Sequence, residues 1–155
     1  MNDFSTIKLL AFDIDGTLTD GTTWWGGDDL GWLQRYSERD AEALSRLKSQ
    51  LHVVPLSDNE TQSARERMTA LGLDARWVGV TDKLAALRQI CAEHVVHVDD
   101  VCFVGDGLDD VDVLKAVKVG CAVADAHILA LEAADLILEA AGGDRVLEEL
   151  EGYFR

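Results

Sequence analysis

Two carboxylates separated by one residue close an apolar run near the start of the chain: Leu9-Leu10-Ala11-Phe12 leads into Asp13-Ile14-Asp15-Gly16-Thr17. A second acidic group, Gly105-Asp106-Gly107-Leu108-Asp109-Asp110, follows another apolar run over 101–104. Between them stand Ser57-Asp58-Asn59, behind the apolar run 52–56, and Lys83, at the head of a stretch with helical spacing. These residue types complement one another chemically. One carboxylate of a close pair can act as a nucleophile while the other moves a proton. A hydroxyl, an ammonium and backbone amides around Gly16 and Thr17 can hold phosphoryl oxygens. Gathered carboxylates repel one another unless a cation lies among them, and hard oxygen donors suit Mg²⁺. Any one of these acids alone reads as a helix cap or turn residue. Complementary groups recurring behind successive apolar runs do not.

For these groups to meet, the chain must bring the ends of its apolar runs to one edge. Runs of about four to six apolar residues alternate with amphipathic stretches of helix length, the pattern of βαβ crossovers. It predicts strands over 7–12, 52–56, 76–78, 101–104, 119–123 and 136–138, and helices over 41–51, 61–71, 82–91, 111–117 and 145–150, with Gly72 stopping the second helix. Such a chain forms a mostly parallel sheet covered on both faces, which binds ligands at the carboxyl ends of its strands. Asp13, Ser57 and Asp106 fall at those ends. Residues 21–36 break the rhythm: two short segments flank Gly26-Gly27-Asp28-Asp29 and read as a β-hairpin projecting from the sheet. With no repeat, linker or low-complexity tract, the expectation is one α/β domain over 1–155, doubly wound. A phosphoryl-accepting receiver domain would share that outline. It would place its acceptor aspartate after the third strand, where this chain has Trp77-Val78-Gly79-Val80 and no acid before Asp82.

Composition narrows the partners. The 155 residues carry 29 Asp and Glu against 14 Lys and Arg, a formal charge of −15 that repels nucleic acid and anionic membranes. Cys91, Cys102 and Cys121 lack metal-ligand spacing and read as buried thiols. The first residues, MNDFSTIKLL, lack a basic segment leading into a long apolar one, and no apolar run approaches the length of a membrane span. The expected address is the cytoplasm.

Taken in order, the motifs resemble those of the haloacid dehalogenase (HAD) superfamily of phosphotransferases. Its first motif, DxDGT, matches Asp13 to Thr17; its second, a small hydroxyl residue after a strand, matches Ser57; its third matches Lys83; its fourth, GDGxxD, matches Gly105 to Asp110. The lack of a long insertion, the continuation TLTDG to Gly21, and VGCAVADAH from Val119 to His127 resemble its small capless branch, which includes the 3-deoxy-D-manno-octulosonate 8-phosphate phosphatases. The resemblance implies a Rossmann-like HAD sheet without a cap domain. It also implies Mg²⁺-dependent phosphomonoester hydrolysis through an aspartyl-phosphate. Asp13 would be the nucleophile and Asp15 the acid and then the base. Asp13, the backbone carbonyl of Asp15 and Asp106 would hold the metal. Gly16, Thr17, Ser57, Asp58, Asn59 and the Lys83 ammonium would surround the phosphate, and Asp109 or Asp110 would orient Lys83 or a metal-bound water.

Two departures bear on the substrate. Octulosonate phosphatases of this branch carry Thr-Gly-Arg in the second motif, where the arginine suits an anionic sugar acid; here the residues are Ser57-Asp58-Asn59. Their glycine-rich segment near the C-terminus is matched in part by Gly142-Gly143-Asp144-Arg145. The hairpin holds Trp24, Trp25 and Trp32. In this branch such hairpins build a tetramer and lie near a neighbour's site, and an indole wall would also suit an aromatic leaving group. A related group in the branch serves as the delta subunit of phenylphosphate carboxylase. The expectation is therefore a small phosphorylated metabolite: first a sugar-acid phosphate, second an aryl phosphate. The expected assembly is a homotetramer, acting alone or inside a larger enzyme complex; a non-catalytic assembly subunit on the same fold is the remaining reading.

Overall fold

In the computed structural model, which describes residues 2–155, β1 (Leu9–Phe12) and β5 (Val101–Gly105) are buried along their whole length. Covered on both faces, they need no polar side and read as unbroken apolar runs. They pair in parallel, Leu9 opposite Val101 and Phe12 opposite Val104. On the far side of β1 lies β4 (His52–Pro55); beyond β5 lie β6 (Val119–Ala122) and β7 (Leu136–Ile137), all parallel. Pro55, the single proline, sits on the edge strand, where a missing N–H costs least.

The order β4-β1-β5-β6-β7 means that the chain leaves β1 toward one edge and crosses back to β5 on the other side. The ends of β1 and β5 therefore flank the crevice at which an open α/β sheet binds ligands. Five helices lie between the strands and a sixth follows β7. α1 (Glu38–Leu47), α2 (Gln62–Ala70) and α3 (Lys83–His94) are each capped by a side-chain oxygen, from Ser37, Thr61 and Asp82. α4 (Val111–Ala116), α5 (Ile128–Ala133) and α6 (Val146–Glu151) are short. Helix α1 packs on α6, while α4 packs on both α3 and α5.

The projecting hairpin forms as expected: β2 (Trp24–Trp25) and β3 (Trp32–Leu33) pair antiparallel, Trp25 opposite Trp32. Two elements differ from the sequence reading. Residues 76–78 do not form a strand. The Asp74 carboxylate accepts from Arg76 N and from its guanidinium, curling Ala75–Trp77 into a 3₁₀ turn and leaving one parallel bridge between Ser57 and Val78. Helix α5 gives no apolar stripe because Ile128 and Leu129 are exposed, and only Ala130 is buried. Its cap is also unusual, His127 Nδ1 accepting from Leu129 N. All three cysteines are buried and free. Among the described residues, no helix is long and apolar enough to cross a membrane.

Candidate active site

The site begins where β1 stops. Asp13 N still donates to Val104 O, so the nucleophile candidate is held in register with β5, and its Oδ1 accepts from Ile14 N at 2.8 Å. The chain then turns through Gly16 at φ +79°, where a Cβ would fall 2.0 Å from Asp106 Oδ2. Only glycine lets the first motif lie against the fourth and leaves that oxygen open. Thr17 donates its hydroxyl to the other Asp106 oxygen at 3.1 Å, and Thr19 Oγ1 accepts from Gly16 N and Gly21 N. A buttress comes from far along the chain: Gly143 N donates to Thr17 O, and a Cβ on Gly142 would meet Gly16 O at 2.0 Å.

Lys83, only 3% exposed, reaches this loop from the first turn of α3. Its Nζ lies 3.1 Å from Asp13 Oδ1, 2.7 Å from Asp109 Oδ2 and 2.7 Å from Asp110 Oδ1, an acceptor for each of its three protons. Burial works against the ammonium, but the charges of Asp13 and Asp110 overcome it and hold the lysine above its usual pKa. Asp110 is fully buried, and its Oδ2 accepts from Asp106 N and Gly107 N. It thus shapes the fourth motif and orients Lys83, and its oxygens are already engaged.

Asp13, Asp106 and Asp110 bring carboxylate oxygens within 4.8 Å of one another. Burial pushes Asp13 well above the usual carboxylate range, with the Asp110 charge adding to it and Lys83 opposing. Asp106 is pushed up to about 6, again chiefly by burial. One ammonium facing four carboxylates leaves a deficit of positive charge. A hard divalent cation fits that deficit, with Asp13 and the open Asp106 Oδ2 as donors.

The second motif closes the other side. Ser57 is fully buried; its carbonyl accepts from Gly79 N and Val80 N, and its Oγ accepts from Asn59 N at 3.1 Å. Asp58 is exposed at the rim, its carboxyl raised by partial burial and by the Asp109 charge. Asn59 turns back to Asp15, donating from Nδ2 to Asp15 Oδ1 at 3.0 Å. Gln34, directly after β3, donates to the same oxygen and accepts from Asn59 Nδ2 at 3.1 Å. Tyr36 stands behind it, its hydroxyl 3.4 Å from Gln34 Oε1 and its ring under the Arg67 guanidinium. Burial, with the Asp15 charge adding, pushes the Tyr36 phenol up to about 12, so it remains a donor.

Thus Asp13, Gly16, Thr17, Lys83, Asp106, Asp109 and Asp110 gather around one point, with Ser57 and the Asp15–Asn59 pair beside it. Arg145 does not join them, pairing with Asp144 instead. Sequence reasoning missed Gln34 and Tyr36. Their signal was positional: a hairpin inserted directly after the first motif must return past that motif.

Comparison with known proteins identifies the family. A family model described as haloacid dehalogenase-like hydrolase matches residues 79–150. The 3-deoxy-D-manno-octulosonate 8-phosphate phosphatase of Escherichia coli is 31% identical over 145 residues, covering 93% of this chain and 77% of that protein. The crystal structure of the phosphatase of that name from Yersinia pestis superposes with a TM-score of 0.89 at 28% identity, over 97% of this chain and 82% of that one. The cobalt-bound form of the Haemophilus influenzae deoxy-D-mannose-octulosonate 8-phosphate phosphatase gives 0.88 at 26%, over 97% and 88%. Fold, motif order and sequence identity converge on one conclusion: the chain belongs to the haloacid dehalogenase-like hydrolases, in the capless branch of phosphatases.

Proposed function

We propose that the protein is a Mg²⁺-dependent phosphomonoesterase working through an aspartyl-phosphate on Asp13. The observation that carries this reading is the placement of Asp13: buried, at the sheet's crevice, against Lys83 and beside Asp106. Asp13 and Asp106, with the backbone carbonyl of Asp15, would hold the metal, which when bound supplies positive charge between nucleophile and phosphate. The cobalt-bound relative supports a divalent ion in this branch, and the all-oxygen donor set favours magnesium.

The chain's own residues supply the rest. The Asp13 carboxylate attacks phosphorus, the ester P–O bond breaks, and the leaving oxygen takes the proton of Asp15. Water then attacks the phosphorus of the aspartyl-phosphate and gives its proton to Asp15, which releases phosphate and restores Asp13. Lys83 and Ser57 hold the phosphoryl oxygens while Asp110 keeps Lys83 aimed.

The relatives' names bring octulosonate 8-phosphate as the first substrate. A second reading, an aryl phosphate, is favoured by Trp24, Trp25 and Trp32, each about half exposed on the hairpin whose return strand leads to Gln34. The same indoles support self-association, as a homotetramer or within a larger enzyme complex. A cytoplasmic site of action fits the acidic, thiol-bearing composition. The test is phosphate release from octulosonate 8-phosphate and from phenylphosphate, with and without Mg²⁺. Mg²⁺-dependent release from either, abolished by Asp13→Asn, is the expected result. Release unaffected by Asp13→Asn would overturn the mechanism.

A further inference from the structure

We propose that Gln34 and Asn59 are positioning residues for proton transfer: their amides hold Asp15 Oδ1 and so reserve Oδ2 for the leaving oxygen. The geometry is over-determined. Asn59 Oδ1 accepts from Thr61 N at 2.8 Å and from the Thr61 hydroxyl at 2.6 Å, which forces the Asn59 NH₂ toward Asp15 and Gln34. Gln34 Oε1 accepts from that NH₂ and faces the Tyr36 hydroxyl, which forces the Gln34 NH₂ onto Asp15. Each amide thus fixes the other's orientation. Both remaining donors converge on one oxygen of Asp15, and among the described residues no hydrogen bond reaches Oδ2.

Two donors on one oxygen remove the freedom of the carboxyl to rotate. An unrestrained Asp15 would present either oxygen, in either rotamer, to the ester. The clamp converts proton donation from a chance alignment into a fixed one, the kind of gain that orientation provides. The proton on Oδ2 passes to the leaving oxygen as the P–O bond breaks, and Oδ2 then accepts the proton of the attacking water. Neither amide gains or loses a proton. The clamp also ties the hairpin to the chemistry, since Gln34 follows β3 directly while Asn59 lies between β4 and α2.

This inference rests on the reading of Asp15 as the proton donor, and one experiment separates the two. The protein with Mg²⁺ is given p-nitrophenyl phosphate and phenylphosphate, and the phenol released in the first turnover is timed. Nitrophenolate leaves readily without a proton, whereas phenolate (pKa about 10, as for Tyr) gains more from one. Gln34→Met keeps side-chain length and removes the donor; Gln34→Ala checks that the effect follows the lost amide and not the thioether. The expected result is a fall of about 10-fold with phenylphosphate and of less than about 3-fold with p-nitrophenyl phosphate, with Asp15→Asn showing the same discrimination more strongly. Equal loss on both esters, or no loss on either, in both Gln34 variants overturns the clamp while Asp15→Asn still discriminates. Failure of Asp15→Asn itself to discriminate overturns the proton-donor reading, and the clamp with it.

Discussion

At the residue scale the site is a problem in charge. Among the described residues, Lys83 is the single cation among Asp13, Asp106, Asp109 and Asp110, and it is as buried as Asp13. Removing one partner of a buried ionic cluster leaves charges without compensation, at a cost of about 3–5 kcal/mol. Lys83→Met should therefore lower the unfolding free energy by about that amount in metal-free buffer, and Mg²⁺ should restore part of it; urea denaturation with and without Mg²⁺ reads both. The residues legible in the sequence were those whose type is dictated by this problem. Asp13, Lys83 and Asp106 stand where strands end or a helix begins; each alone could serve a turn or a cap, and only together do they point to one site, with the uncharged Ser57 legible by its place after β4. Gln34 was not legible. An amide after a hairpin strand is ordinary, and only the path of the returning strand places it on Asp15.

At the element scale the loop of the first motif is held by parts distant in sequence. Gly142 has no room for a side chain, since a Cβ would lie 2.0 Å from Gly16 O. Gly142→Ala should push the two backbones apart, costing about 1–3 kcal/mol of stability. Because the displaced loop carries Asp15 and abuts Asp106, kcat should fall by about 10-fold or more, with far smaller change in fold content by circular dichroism. Helix α6 carries a second device. Asp40 Oδ1 accepts from Leu147 N and Glu148 N, capping the helix from α1, while its Oδ2 is buried without a partner among the described residues. Burial, only partly offset by those N–H groups, raises this carboxyl from 3.8 to about 6. The folded state thus holds the Asp40 proton more tightly than the unfolded chain. The stability from this group is full below about pH 4 and is lost as pH rises through about 6. Asp40→Asn should flatten that part of the stability profile, which shows as the difference between wild-type and variant urea midpoints from pH 4 to pH 7. The sequence shows an acid in the first turn of α1, not the helix it caps more than a hundred residues later. Long-range pairing of that kind leaves no local pattern. The 3₁₀ turn at Ala75–Trp77 escaped for the opposite reason: an apolar-flanked triplet looks like a strand until Asp74 claims the Arg76 N–H.

At the scale of the whole molecule, the parallel sheet was implicit in the alternation of strands and helices, because parallel crossovers deliver strand ends to one edge; the order β4-β1-β5-β6-β7 was not, since alternation leaves the side of each crossover open. The hairpin was equally legible, being the only segment that departs from that rhythm. Its three half-exposed indoles are the apolar surface that the proposed self-association or aryl substrate would use. The proposed metal site carries a consequence for stability. A ligand that binds only the folded state at about 100 times its Kd adds about 2.7 kcal/mol. Mg²⁺ should raise the unfolding temperature of the wild-type protein and fail to do so for Asp106→Asn; differential scanning calorimetry with and without chelator measures this without reference to turnover. The central claim is the covalent step on Asp13. The most direct test is to mix the protein with Mg²⁺ and p-nitrophenyl phosphate, quench in acid during turnover, and map phosphate on the peptides by mass spectrometry. The account predicts phosphate on the Asp13 side chain in the wild-type protein and none in Asp13→Asn. Steady turnover with Asp13 unmodified, or with phosphate on another residue, would contradict it.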